Sequence, residues 1–171
     1  MHPVLEEVSL LLPSSEDFTP ALLRELFAVS AQGEDAAEHS NVILAVDDNP
    51  DLIVLIKAAL QDTPYTVFGV LDASQVMKLA QELHPCAITL DVMMPNLNGW
   101  QILHQLKANP VTASIPVVMI TVLSEQGTGY VLGADDYLIK PFKSDVLLST
   151  IHRLVTKQIS SQTGQRETQP V

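Results

Sequence analysis

Apolar residues in this chain come in blocks of two kinds. Short continuous runs recur at 41–46 (N-V-I-L-A-V), 65–70, 86–91 and 115–122, with a shorter one at 136–139. Runs of this length, without polar alternation, predict strands buried on both faces, as in a parallel sheet. Between them apolar residues fall at helical spacing. In 50–60, Leu52, Leu55, Ile56, Ala59 and Leu60 share one side. In 72–83 the apolar set is Val76, Met77, Leu79, Ala80 and Leu83; in 99–108 it is Ile102, Leu103 and Leu106. The last helix shows Val146, Leu147, Leu148, Ile151, Leu154 and Val155. Pro50 suits a first helical position with Asn49 or Asp48 as its cap, and Thr63-Pro64 and His84-Pro85 act as breaks. Strand and helix alternate five times, which predicts an α/β fold with a parallel sheet and right-handed crossovers.

The remaining stretches are less patterned. Thr19-Pro20 ahead of A-L-L-R-E-L-F predicts a helix over 20–30, and 32–40 reads as a small, acidic linker. Residues 124–133 carry three glycines and predict at best a weak, short helix. From Gln158 the chain is rich in Gln, Ser and Thr with nothing to bury, which predicts disorder. The expected layout is an N-terminal extension over 1–40, one folded domain over 41–157 and a disordered polar tail over 158–171.

Composition narrows the function. The 171 residues suffice for one domain with a real core. The formal net charge is -11, from 20 acids and 9 bases, which argues against nucleic acid as a partner. Residues 1–40 hold eight of those acids and one base, so the domain itself is only mildly acidic. Cys86 is the single cysteine, which excludes an internal disulfide, and its place in an apolar run predicts a buried structural thiol. No apolar run reaches the ~18 residues of a membrane span and no secretion signal opens the chain, so a cytoplasmic location without membrane insertion is expected.

The polar residues that stand out all fall at the C-terminal ends of predicted strands. Asp47 and Asp48 end the first, Asp91 the third, Thr121 the fourth and Lys140 the fifth. In an open α/β sheet that edge is where ligands bind. Singly, each has a structural reading: a helix cap, a turn acid, a strand hydroxyl, a surface lysine. Together they make a chemical set. Three clustered carboxylates repel one another and suit a hard divalent cation such as Mg²⁺, which pairs with phosphate. A carboxylate nucleophile can form an aspartyl phosphate, with Lys140 and Thr121 contacting phosphoryl oxygens. The set suits Mg²⁺-assisted phosphorylation of Asp91. Asp135-Asp136, by contrast, reads as a solvated turn, the five histidines show no metal-ligand spacing, and Trp100 at a helix start reads as packing.

V-D-D-N-P, T-L-D-V-M-M-P-N-L-N-G, M-I-T and G-A-D-D-Y-L-I-K-P-F together resemble the receiver domain of two-component response regulators, the CheY-like family. The resemblance spans residues 41 to about 157. It implies a flavodoxin-like, doubly wound sheet in the order 2-1-3-4-5. It implies Asp91 as phospho-acceptor and Asp47 and Asp48 as the acidic pair, with Asp48 the more direct Mg²⁺ ligand. The main-chain carbonyl of Met93 is implied as the third protein ligand, and Thr121 and Lys140 as phosphoryl contacts. Thr121 and Tyr137 are implied as a switch pair, and Lys140-Pro141 as a cis peptide. A histidine kinase or histidine phosphotransfer protein is the implied donor, and an unknown downstream protein the receiver of the signal.

Two departures from the family are visible. Val122 replaces the usual small residue after Thr121, and the segment between Thr121 and Gly133 is about one helical turn short. Nothing resembling a DNA-binding output domain follows 157, so contacts with other proteins or onward relay are the expected output, and no enzyme activity beyond self-phosphorylation and slow self-dephosphorylation. Two rival readings use similar residues. An aspartate-based phosphatase of the haloacid dehalogenase type needs a general acid two residues after its nucleophile, where this chain has Met93, and a nucleophile ending the first strand. A pseudo-receiver, which binds without accepting phosphate, does not need the intact acid set.

Overall fold

A computed structural model of the chain describes residues 41–122 and 133–166, with side chains as far as Ser161. The expected helix over 20–30, the acidic linker before 41, most of the segment 124–133 and the last five residues lie outside the described residues. Five strands form one parallel sheet: β1 Val42–Val46, β2 Thr66–Val70, β3 Ala87–Asp91, β4 Val117–Thr121 and β5 Asp136–Ile139. Their order is β2-β1-β3-β4-β5, the flavodoxin-like, CheY-like order. The described helices are α1 Pro50–Leu60, α2 Val76–Leu83, α3 Gly99–Ala108 and α4 Ser144–Arg166.

Local chemistry starts and stops these elements. Asn49 caps α1 by accepting from the Asp51 amide at 3.0 Å, with Pro50 in the first turn. Asp72 accepts from the Ser74 amide at 2.9 Å and opens a 3₁₀ turn, Ala73–Gln75, that leads into α2. His84 ends α2 in the left-handed region at φ 45°. A capping box between Asn98 and Gln101 starts α3.

Pleat alternation divides the core into two layers. Ile43, Ala45, Ala87, Val118, Ile120 and Leu138 face one way and pack against Ile53, Ile56 and Leu60 of α1 and Leu147, Ile151 and Leu154 of α4. Leu44, Ile88, Leu90, Val117 and Met119 fill the other layer, on the side of α2 and α3.

Some expectations are corrected. On α1, Ile53 joins Ile56 and Leu60 in the core at 6% exposure, while Leu55, expected on that face, is 44% exposed. The run D-L-I-V-L-I is apolar nearly all round, so periodicity does not fix its phase. Gly69 on β2 fixes it: a Cβ there would collide with the Ile53 side chain, so the bare strand position is what Ile53 fills. On α4, Val146 points outward in the same way.

The expected disordered tail from Gln158 is instead helical through Arg166. Once α4 is anchored by its packed turns, propagation no longer carries the nucleation penalty. Gln158 also ties the helix to the Ser114 carbonyl at 3.2 Å.

Asp135 and Asp136 are not a free solvated turn. Asp135 accepts from Lys107 Nζ at 2.9 Å and from the Val117 amide at 2.8 Å, and Asp136 pairs with Arg153. Lys107 Nζ also donates to the carbonyls of Ala113, at 3.3 Å, and Ile115, at 2.9 Å. One ammonium thereby joins the end of α3 to the entries of β4 and β5.

Two measurements follow from this core. Ile53→Ala is expected to lower unfolding free energy by about 2–4 kcal/mol, and Leu55→Ala by under about 1 kcal/mol, in urea titrations. Equal losses would contradict the observed phase of α1. Cys86 is buried, its Sγ donates to the Val42 carbonyl at 3.4 Å, and burial pushes its thiol up to about 12 from an ordinary 9.0. The folded chain thus keeps this proton to higher pH than the unfolded chain. The associated stability is fully present below about pH 9 and is lost as pH rises toward 12. Between those limits the wild type should lose about 1.4 kcal/mol per pH unit relative to Cys86→Ala. Parallel stability–pH curves for the two proteins would refute it.

Candidate functional site

The sheet order puts β1 beside β3, and both strands run out in acids. Asp47 follows the last residue of β1, its amide still in the ladder through the Val70 carbonyl at 3.1 Å. Its Oδ1 accepts from the Asn49 amide at 2.8 Å, which shapes the turn into α1. Asp91 is the last residue of β3. Both are buried, Asp47 at 2% and Asp91 at 4% exposure, while Asp48 is exposed. Carboxylate oxygens of Asp47, Asp48 and Asp91 lie within 4.8 Å of one another. Asp48 also lines a cleft of about 330 Å³ with Leu71, Asp72, Ala73, Met94, Pro95 and Asn96.

Lys140 follows β5, held there by its own amide on the Thr121 carbonyl at 2.8 Å. Its Nζ reaches across to Asp47 Oδ2 at 2.9 Å and Asp91 Oδ1 at 3.0 Å. The Lys140–Pro141 peptide is cis. Thr121 ends β4 with 1% exposure, two residues beyond Met119, which pairs in register with Tyr137. Alternation therefore assigns Thr121 and Tyr137 to the same side of the sheet, opposite the side of Asp91 and its register partner Ile120. The Met93 backbone bridges to Asn98 at the base of the loop after β3, and its side chain is exposed.

Three carboxylates face one ammonium, so two negative charges stay uncompensated when all are ionised. Burial pushes the Asp91 carboxyl up, and Asp47 and Asp48 add to this, while Lys140 pulls it down; the balance lies above its ordinary value. Burial works against the Lys140 charge, yet the hydrogen bonds and charges of Asp47 and Asp91 outweigh it and raise the ammonium above its usual range. An excess of two negative charges on hard oxygen donors, one of them open to solvent, fits a small divalent cation.

Of the five residues expected at this edge, Asp47, Asp48, Asp91 and Lys140 come together, while Thr121 ends its strand on the other side of the sheet. Trp100, expected as packing at a helix start, has a partner across the fold. The Trp100 ring lies 6.1 Å from that of Tyr137, centroid to centroid, inclined at 53°. A contact between a helix start and the fifth strand leaves no local signal in the sequence.

Residues 43–152 match the response regulator receiver domain. The chain is 35% identical over 118 residues to the DNA-binding dual master transcriptional regulator RpaA of Synechocystis, which covers 67% of this chain and 49% of that protein. It is 36% identical over 129 residues to the response regulator PleD of Caulobacter vibrioides, covering 73% of this chain and 28% of that one. The chain thus spans about half or less of the length of these relatives. Among solved structures, it is similar to the receiver domain of a sensor histidine kinase from Pseudomonas aeruginosa, with a magnesium ion coordinated in its active-site cleft. That match has a TM-score of 0.63 and 30% identity over 69% of this chain and 99% of the other. The chemotaxis response regulator CheY4 of Vibrio cholerae gives a TM-score of 0.62 and 28% identity, over 66% and 97%. No helix among the described residues is long and apolar enough to cross a membrane.

The charge excess has a thermodynamic signature. Because the Asp91 carboxyl is held above its ordinary value, its stabilising share is present at acid pH and is lost as pH rises through its folded value. At pH 7 in chelator, Asp91→Asn should melt several degrees above the wild type, and the gap should close as pH falls toward 4. A divalent cation should raise the wild-type Tm more than that of the variant. A variant that melts lower at pH 7 in chelator would sink this account of the site.

Proposed function

The chain belongs to the response regulator receiver family, and from that premise we propose that Asp91 is its phospho-acceptor. The donor is a phosphohistidine on a histidine kinase or histidine phosphotransfer protein. A carboxylate oxygen of Asp91 attacks the phosphorus while the phosphorus–nitrogen bond breaks, and the electron pair leaves with the imidazole. Asp47, Asp48, Asp91 and the main-chain carbonyl of Met93 would hold Mg²⁺, which when bound supplies positive charge for the phosphoryl oxygens. Asp48, exposed and facing the cleft, has the freer carboxylate; Asp47 is already engaged by Lys140 and the Asn49 amide.

Lys140 moves its hydrogen bond from Asp91 to a phosphoryl oxygen, where charge develops. Thr121, the last residue of β4, turns its side chain over the sheet edge and donates its hydroxyl to another. Tyr137, on the same side of the sheet, takes up the space that Thr121 leaves, and the changed surface selects a downstream protein or passes the phosphoryl group on. The role is that of a cytoplasmic signalling switch whose chemistry is confined to its own acid. The observation that carries this reading is the hydrogen-bonded set of Lys140 with both buried acids, at 2.9 and 3.0 Å, at one sheet edge.

Acetyl phosphate and Mg²⁺ supply the test, with intact-mass detection of one added phosphoryl group. The wild type should be labelled, Asp91→Asn should not, and Lys140→Ala should be labelled ~100-fold more slowly. Labelling that persists in a folded Asp91→Asn variant would remove Asp91 as acceptor.

A further inference from the structure

The loop that follows Asp91 is closed on itself. The Gly99 amide donates to the Val92 carbonyl at 3.0 Å, and Met93 bridges to Asn98. Asn98 in turn accepts from the Trp100 amide at 2.9 Å. Residue 99 has no room for a side chain: a Cβ there would run into the Asp91 carbonyl oxygen and the Val92 Cα. The first turn of α3 therefore rests directly on the main chain of the acceptor acid. The next residue is Trp100, half-buried, with its ring against Tyr137. Tyr137 is 8% exposed and sits in register with Met119, two residues before Thr121. The tyrosine thus lies beside strand β4 and against an indole tied to the Asp91 main chain.

We propose that Trp100 is a positioning residue that holds Tyr137 in its buried orientation and so couples the ring to the state of Asp91, by a route separate from Thr121. This rests on the reading of Asp91 as phospho-acceptor. Gly99 makes the route short: strand end, main-chain contact, indole, phenol ring. Because the coupling is a difference in binding free energy, it works both ways. If the indole favours the buried ring, and the buried ring favours the phosphorylated site, removing the indole weakens the binding of a phosphoryl mimic. A tilted aromatic pair biases such an equilibrium by roughly two- to tenfold.

The probe is beryllofluoride with Mg²⁺, a phosphoryl mimic, with Asp91→Asn as the control that must not bind. Trp100→Leu should bind it two- to tenfold more weakly than the wild type, and Trp100→Phe should stay close to the wild type. In a Tyr137→Leu background, Trp100→Leu should cost nothing further, which a merely structural role does not predict. Trp100 is the single tryptophan, so its emission needs no tryptophan variant and should shift on adding the mimic to the wild type but not to Tyr137→Leu. Unchanged binding in Trp100→Leu, an equal loss in the Tyr137→Leu background, or an emission blind to the mimic overturns the coupling. Failure of the wild type itself to bind overturns the acceptor reading, and the coupling with it.

Discussion

Lys140 stands two strands away from Asp91, and its ammonium nonetheless touches both Asp47 and Asp91. Neighbouring strands lie about 4.8 Å apart, so β5 and β3 are separated by roughly 10 Å with β4 between them. A flexible four-carbon stem crosses that gap, and no shorter cation could. The crossing has a condition: β4 must end early enough to let the stem pass over it. The last residue of β4 is Thr121, whose carbonyl takes the Lys140 amide. The sheet order, the strand lengths and the place of one lysine are thus a single constraint. A slip of one residue in β5 would turn that side chain to the other face.

The strands were legible because each is buried on both faces and reads as a continuous apolar run. The observed bounds of β5 equal the expected ones, and β1, β2 and β3 start one residue later than expected. The acids and the lysine were legible because the sites lie at strand ends, which local pattern locates. Helix phase was less so. The face of α1 was set by Gly69 on β2, a tertiary fact invisible from within the helix. The helix from Gln158 to Arg166 is not legible because composition speaks to what can nucleate a helix, not to what an anchored helix can extend into.

The contacts across the sheet were hidden for a different reason. Asp135 looked like a surface acid because nothing nearby in sequence pairs with it; its partner, Lys107, lies 28 residues earlier. Trp100 and Tyr137 are a comparable case, 37 positions apart and joined through the fold. Such pairs lie beyond any window in which periodicity is counted. They are also what turns a set of strand ends into a site with fixed geometry around it.

Lys107 carries a consequence for how variants of this chain are to be weighed. Its ammonium spends its three donors on the Ala113 and Ile115 carbonyls and the Asp135 carboxylate. Gly133, at φ 92°, leaves room for its methylenes, the nearest 3.4 Å from where a Cβ would stand. A guanidinium has the same charge but presents its donors as a flat fork, which cannot serve acceptors spread around a point. Arginine at 107 therefore preserves the charge and not the knot. A substitution scale that scores by charge class would pass it as mild, at a position where shape decides.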